Sequence, residues 1–190
     1  PEFLLKKKAI INVHNNDNRC FGYALLSSLH PAADHASRAT HYDPFFAVHP
    51  ALNDLDYPIE IDELEDVEER INTPFNVYTF YDDEGRARYP LYLSRENPDT
   101  AVDLLFWDGH YAWIKSFTRF LGDKNPNGHD RFHCKRCFGR FTQQTALDNH
   151  KKFCTAMDCC QQMYTMPKEG TRLTFKNVRH QVRFPFIIYA

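Results

Sequence analysis

The chain has 190 residues, 43% hydrophobic and 15% aromatic, with a formal net charge of −2. That length buries a medium domain and leaves room for a small satellite, and the composition excludes disorder. No apolar run approaches the roughly 20 residues needed to cross a bilayer, and Lys6, Lys7 and Lys8 are followed only by a short Ala9-Ile10-Ile11 run, so neither a membrane span nor a secretory leader is expected. Five of the six cysteines crowd between 134 and 160 while Cys20 stands alone, a pattern of metal ligands and a free thiol in an intracellular, reducing compartment.

The near-neutral total conceals an asymmetry. Asp54 to Glu69 holds nine acidic side chains and no basic one. From Lys115 to Lys152 bases outnumber acids nine to three, and no acid follows Glu169. The plain reading is that both stretches are solvated faces, and for the acidic one it weighs equally with the sharper reading. The sharper reading turns the acidic half toward a basic protein partner and the basic half toward nucleic acid.

In chain order, Ala9–Val13 reads as a short strand and His14–Arg19 as a polar turn. Phe21, Ala24, Leu25 and Leu29 give the spacing of a helix over Cys20–Leu29, capped by Asp17 or Asn18 and ended by His30-Pro31. Residues 31–58 are expected as loop with short helix. Asp62-Glu63-Leu64-Glu65 is a capping-box pattern, opening a helix with the stripe Leu64, Val67, Ile71. The period then changes to two, predicting strands over Asn76–Phe80, Tyr89–Ser94, Val102–Trp107 and His110–Lys115, with turns at Asp82–Gly85 and Arg95–Pro98. A helix followed by antiparallel strands implies an α+β domain over 1–121. A polar linker, 122–131, follows, then a small unit over 132–160 and an extension over 161–190 that packs on the core or leads elsewhere.

The small unit carries Cys134-x2-Cys137, twelve residues, His150, three residues, Cys154, with Phe141 and Leu147 at the two core positions of a ββα finger. Two thiolates from a hairpin then meet an imidazole and a thiolate from one helix around a structural zinc ion. So small a unit does not fold on apolar burial alone, and metal supplies the missing stability. This resembles the two-Cys two-His finger family with its last histidine replaced by cysteine. On nucleic acid, that resemblance would turn Gln143, Ala146 and Asn149 to the bases; a structural or protein-docking use is favoured for one finger alone. Cys159 and Cys160 read as buried or free thiols rather than further ligands.

Cys20 sits where the polar turn becomes the helix, where unpaired N–H groups favour a thiolate and an oxyanion, although a buried structural cysteine is the plainer reading. Its imidazole partner is sought among ten histidines. His30 lies about three helical turns away, roughly 15 Å, and His133 and His150 belong to the finger. His110 opens a strand in Trp107-Asp108-Gly109-His110-Tyr111. In extended chain Asp108 would share its side and orient the ring, completing a nucleophile–base–orienter set.

Asn12-x2-Asn15-x-Asp17-x2-Cys20-Phe21, Leu29-His30-Pro31, Asn76-Val77-Tyr78, Tyr89-Pro90-Leu91-Tyr92 and Asp108-Gly109-His110-Tyr111-x-Trp113-Ile114-Lys115 together resemble a papain-like cysteine-peptidase module of Polinton/Maverick-type transposons. That module is similar to the deubiquitinases of herpesvirus large tegument proteins. The resemblance covers residues 9 to about 121, and the finger follows in the transposon proteins too. It implies Cys20 as nucleophile, His110 as base and Asp108 as orienter. Where such peptidases place a Gln for the oxyanion, this chain offers Asn15, with Asn12 or Asn16 as rivals. Tyr111 would wall a groove for a Gly-Gly tail, unless it is a core tyrosine. Asp62 and Glu65 in the acidic stretch would face ubiquitin's basic tail. The implied activity is hydrolysis after ubiquitin's terminal Gly-Gly by a monomer. The alternatives are a peptidase for the transposon polyprotein or another modifier, and a non-catalytic nucleic-acid adaptor of a polymerase. Phe184–Ala190 looks like the strand leading into the first exonuclease motif of a type B DNA polymerase, without that motif's acidic residues.

Overall fold

The computed structural model describes residues 8–80, 88–122 and 131–154. The turn expected at 82–85, most of the linker, Cys159, Cys160 and the 161–190 extension lie outside the described residues.

Strand β2 (Phe75–Phe80) is buried at all six positions, because it lies between β3 (Arg88–Tyr92) and β4 (Val102–Trp107) with both faces covered. With β1 (Ile10–Ile11) and β5 (His110–Ile114) it forms a five-stranded sheet in the order β1-β5-β4-β2-β3. The expected α+β class holds, but the sheet is mixed rather than antiparallel, since β2 pairs parallel with β4. The cause is topological. β3 returns antiparallel along one side of β2, and residues 93–101 then carry the chain back so that β4 starts from the same end as β2.

Alternation sorts the strand side chains onto two faces. Phe75, Val77, Leu104 and Tyr111 join one cluster with helix α1 (Cys20–Leu29). Helix α1 is buried from Cys20 through Ser27, so it is apolar all round and central rather than amphipathic. Its Gly22 meets the layer of short helices α2 (Asp43–Val48) and α3 (Pro50–Asn53) and the segment after them: a Cβ there would stand 2.5 Å from Tyr57 Oη and 2.9 Å from the Phe46 ring. Tyr78, Phe80, Leu105 and Ile114 form the opposite face, closed by Phe120 of α5 (Phe117–Phe120).

Two start signals fall elsewhere than expected. Asp17 Oδ1 accepts the Arg19 N–H (3.0 Å) and shapes the turn, while α1 itself has no side-chain cap. The reciprocal capping box is Glu60 with Glu63, not Asp62 with Glu65, and it opens a 3-10 turn that runs into α4 (Leu64–Ile71). Asn72 ends α4 in the left-handed conformation (φ 48°), tolerated by its short polar side chain.

After residue 130 come β6 (Phe132–His133), β7 (Arg140–Phe141) and α6 (Gln144–Lys151), the expected ββα unit, with Leu147 buried against Cys134 and Cys154 and flanked by Phe132 and Phe141.

Candidate functional site

Cys20 is the first residue of α1 and is 8% exposed. The backbone N–H groups of Tyr111, Phe21 and Cys20 itself reach its sulfur. Burial pushes the thiol above its ordinary value and outweighs those donors, and the Asp17 charge acts in the same direction as burial. The Cys20 sulfur, ninety residues upstream, thus touches the peptide unit that joins His110 to Tyr111.

The ring of His110 is turned to Asn12, whose Oδ1 accepts from Nε2–H at 2.6 Å. An amide oxygen only accepts, so the proton resides on Nε2 and Nδ1 keeps its lone pair. The antiparallel pairing of β1 with β5 (Ile10 with Ile114, Ile11 with Trp113) brings Asn12 there. Burial first, then the neighbouring His14, lowers the affinity of His110 for a second proton. With the thiol raised and the imidazole lowered, each group favours its neutral form. Cys20 and His110 are not hydrogen-bonded to each other in this arrangement.

Asp108 does not take the orienting place expected for it. Asp108 (φ 52°) and Gly109 (φ 70°) are both left-handed, the two central residues of a tight hairpin turn flanked by the Trp107–His110 pair. The chain is therefore not extended at 108, the period-two rule fails there, and Asp108 is exposed with no hydrogen bond to His110. Asn15, expected to donate to an oxyanion, spends Nδ2 on Asp17 O (2.7 Å) and Oδ1 (2.8 Å), bracing the turn before Cys20. Tyr111 is a core residue rather than a groove wall. It is 2% exposed, edge-on to Phe21 with ring centroids 5.2 Å apart, and its hydroxyl donates to Ile59 O at 3.2 Å.

The acidic residues singled out also sit differently. Glu65 is ion-paired with Arg95, whose Nη2 donates to Oε2 at 2.7 Å, beyond β3 on the far edge of the sheet. Asp62 is exposed on the 3-10 turn. The carboxylates whose charge reaches Tyr111 are Glu60 and Glu63. No feature of the sequence distinguished these two from their seven acidic neighbours.

The second cluster is local. Ligand atoms of Cys134, Cys137, His150 and Cys154 all lie within 4.8 Å of one another. Cys134 Sγ stands 3.6 Å from Cys154 Sγ, and Cys137 Sγ 3.2 Å from His150 Nε2. A tetrahedral ion with bonds of about 2.3 Å to sulfur and about 2.0 Å to nitrogen spaces its ligands roughly 3.5–3.8 Å apart, so the set is compatible with zinc. Gln143, Ala146 and Asn149 are exposed.

One contact has no forerunner in the sequence reading. Lys135, between the first two ligands, reaches across to Asp103 of β4. Among the described residues no helix is long and apolar enough to cross a membrane. The chain matches no family model, no curated protein and no solved structure.

Proposed function

We propose that the chain is a zinc-bearing cysteine peptidase in which Cys20 attacks, His110 carries the proton, and Asn12 rather than Asp108 holds the ring. The observation that supports this most is the His110 Nε2–Asn12 Oδ1 hydrogen bond. It leaves Nδ1 as the basic nitrogen on a residue whose next amide already touches the Cys20 sulfur. In free enzymes such catalytic hydrogen bonds are often unmade and tighten only with substrate.

As the Cys20 sulfur bonds to the scissile carbonyl carbon, its proton passes to His110 Nδ1 and the carbonyl electron pair moves onto oxygen. That oxyanion is met by the backbone N–H groups at the start of α1. The C–N bond breaks, and the leaving amine takes the proton from the ring. Water then gives a proton to Nδ1 while attacking the thioester carbon, and the S–C bond breaks as Nδ1 returns that proton to sulfur, restoring the thiol and the neutral ring and releasing the carboxylic acid. A neutral Cys–His pair makes this a general-base mechanism rather than one using a preformed thiolate.

Ubiquitin as substrate follows from the resemblance to tegument-type deubiquitinases. A ubiquitin probe ending in an electrophile should label the wild type and not Cys20→Ala. Labelling that survives the substitution removes Cys20 from its role, and preference for another modifier's probe removes ubiquitin alone. Zinc would be held by Cys134, Cys137, His150 and Cys154 and would supply fold, not chemistry. One zinc per chain, lost in Cys137→Ser, is the expected metal analysis.

A further inference from the structure

The finger lies against the sheet, on the face opposite α1. Its Lys135 Nζ pairs with Asp103 Oδ2 at 2.9 Å, with side chains only 15% and 11% exposed, and donates to Ala101 O at 3.2 Å. Asp103 Oδ1 accepts from the Asn76 amide (2.8 Å) and the Tyr78 hydroxyl (3.4 Å), so a buried polar network runs from the finger into β2 and β4. Burial pushes the Asp103 carboxyl up, and the Lys135 ammonium is the largest influence in the other direction. Beside it Phe138, left-handed at φ 61°, places its ring 5.8 Å from Tyr78 and 6.0 Å from Phe117. At the other end Lys151 of α6 pairs with Asp99 at 2.9 Å.

We propose that the finger is a metal-dependent brace of the five-stranded sheet, with Lys135 as the pin. Lys135 and Phe138 both belong to the segment whose path is set by Cys134 and Cys137 closing on one ion. Without the ion that segment loses the constraint that aims Lys135 at Asp103. The carboxylate then stays buried among Asn76 and Tyr78 without its cation, and leaving one member of a buried pair unpartnered is far costlier than removing both. Metal loading thereby regulates the element that carries His110, because β4 runs from Asp103 straight into the turn before it.

The metal half of this inference rests on the zinc reading above, while the ion-pair half does not, and the experiment separates them. Both tryptophans of the chain, Trp107 and Trp113, lie on β4 and β5, so their fluorescence reports the sheet. In the whole 190-residue chain, chelation of the metal should lower the tryptophan-reported melting midpoint by about 10 °C. Lys135→Met should lower it with the metal retained, and Lys135→Met combined with Asp103→Asn should recover at least half the loss. Metal-loaded protein whose midpoint ignores chelation overturns the metal-dependent brace alone. Protein that purifies without metal sinks the zinc reading and the metal dependence together. Strictly additive losses in the double variant remove Lys135 as the pin.

Discussion

The two cysteine–histidine clusters of this chain are assembled by opposite means. In the finger four ligands lie within 21 residues of sequence, yet two short strands, one helix and the single buried Leu147 are too little apolar burial to hold them together without an ion. At Cys20 the parts come from residues 12, 20 and 110: the pairing of β1 with β5 brings Asn12 to His110, and the packing of α1 on β5 brings the Cys20 sulfur to the Tyr111 amide, with no metal needed. In the proposed zinc site ligand chemistry creates the geometry; at Cys20 topology does. The first should therefore vanish with its ion, and the second with its packing.

The largest effects break that symmetry outright. Cys137→Ser should cost the finger its metal and its α6 helicity, read by metal analysis and far-UV circular dichroism. Cys20→Ser should leave metal content unchanged and abolish thiol-directed labelling; a metal loss in Cys20→Ser would merge the two sites. Gly22→Ala attacks the second geometry through packing. Its Cβ has no room beside Tyr57 Oη and Phe46, and a destabilisation of about 2–3 kcal/mol is expected in urea unfolding. An unchanged midpoint would mean that α1 shifts freely, which a site built on packing does not allow.

This difference also explains what the sequence made legible. Spacing alone picked out the four cysteine and histidine residues that cluster in the finger, because short-range constraints write themselves into residue intervals. Helix α1 and strand β4 could be read to the residue, since each has a periodic apolar pattern with clear limits. Asn12 could not be read as the partner of His110, because 98 residues separate them and only strand pairing brings them together. Asp108 misled for a local reason: Asp-Gly is both a candidate orienter and the preferred dipeptide of a two-residue turn, and the turn took it. The parallel β2–β4 pair and the Lys135–Asp103 bridge are products of chain crossing, which no local pattern records.

Asn12 and Asp108 offer the sharper division within the site. Asn12→Ala frees the His110 ring and should lower turnover roughly hundredfold, the lower end of what a positioned base contributes. Asp108→Ala should change it by less than about twofold, because the side chain is exposed and outside the ring's hydrogen bonds. The reverse ranking, measured as labelling rate by an electrophilic probe, would return the orienting role to Asp108.

The smallest effect tests the electrostatics. In the proposed mechanism His110 accepts the thiol proton only when its ring is neutral, so turnover should fall as pH drops through its folded pKa. Burial and the nearby His14 both lower that pKa, which places the acid limb below the ordinary imidazole value of 6.5. His14 is exposed, so its share is screened by solvent. His14→Gln removes the charge but not the burial, and the limb should move up by a fraction of a unit while staying below 6.5. A limb that moves down would mean that His14 supports the protonated ring instead. A limb already above 6.5 in the wild type would mean that a carboxylate reaches His110 during the reaction.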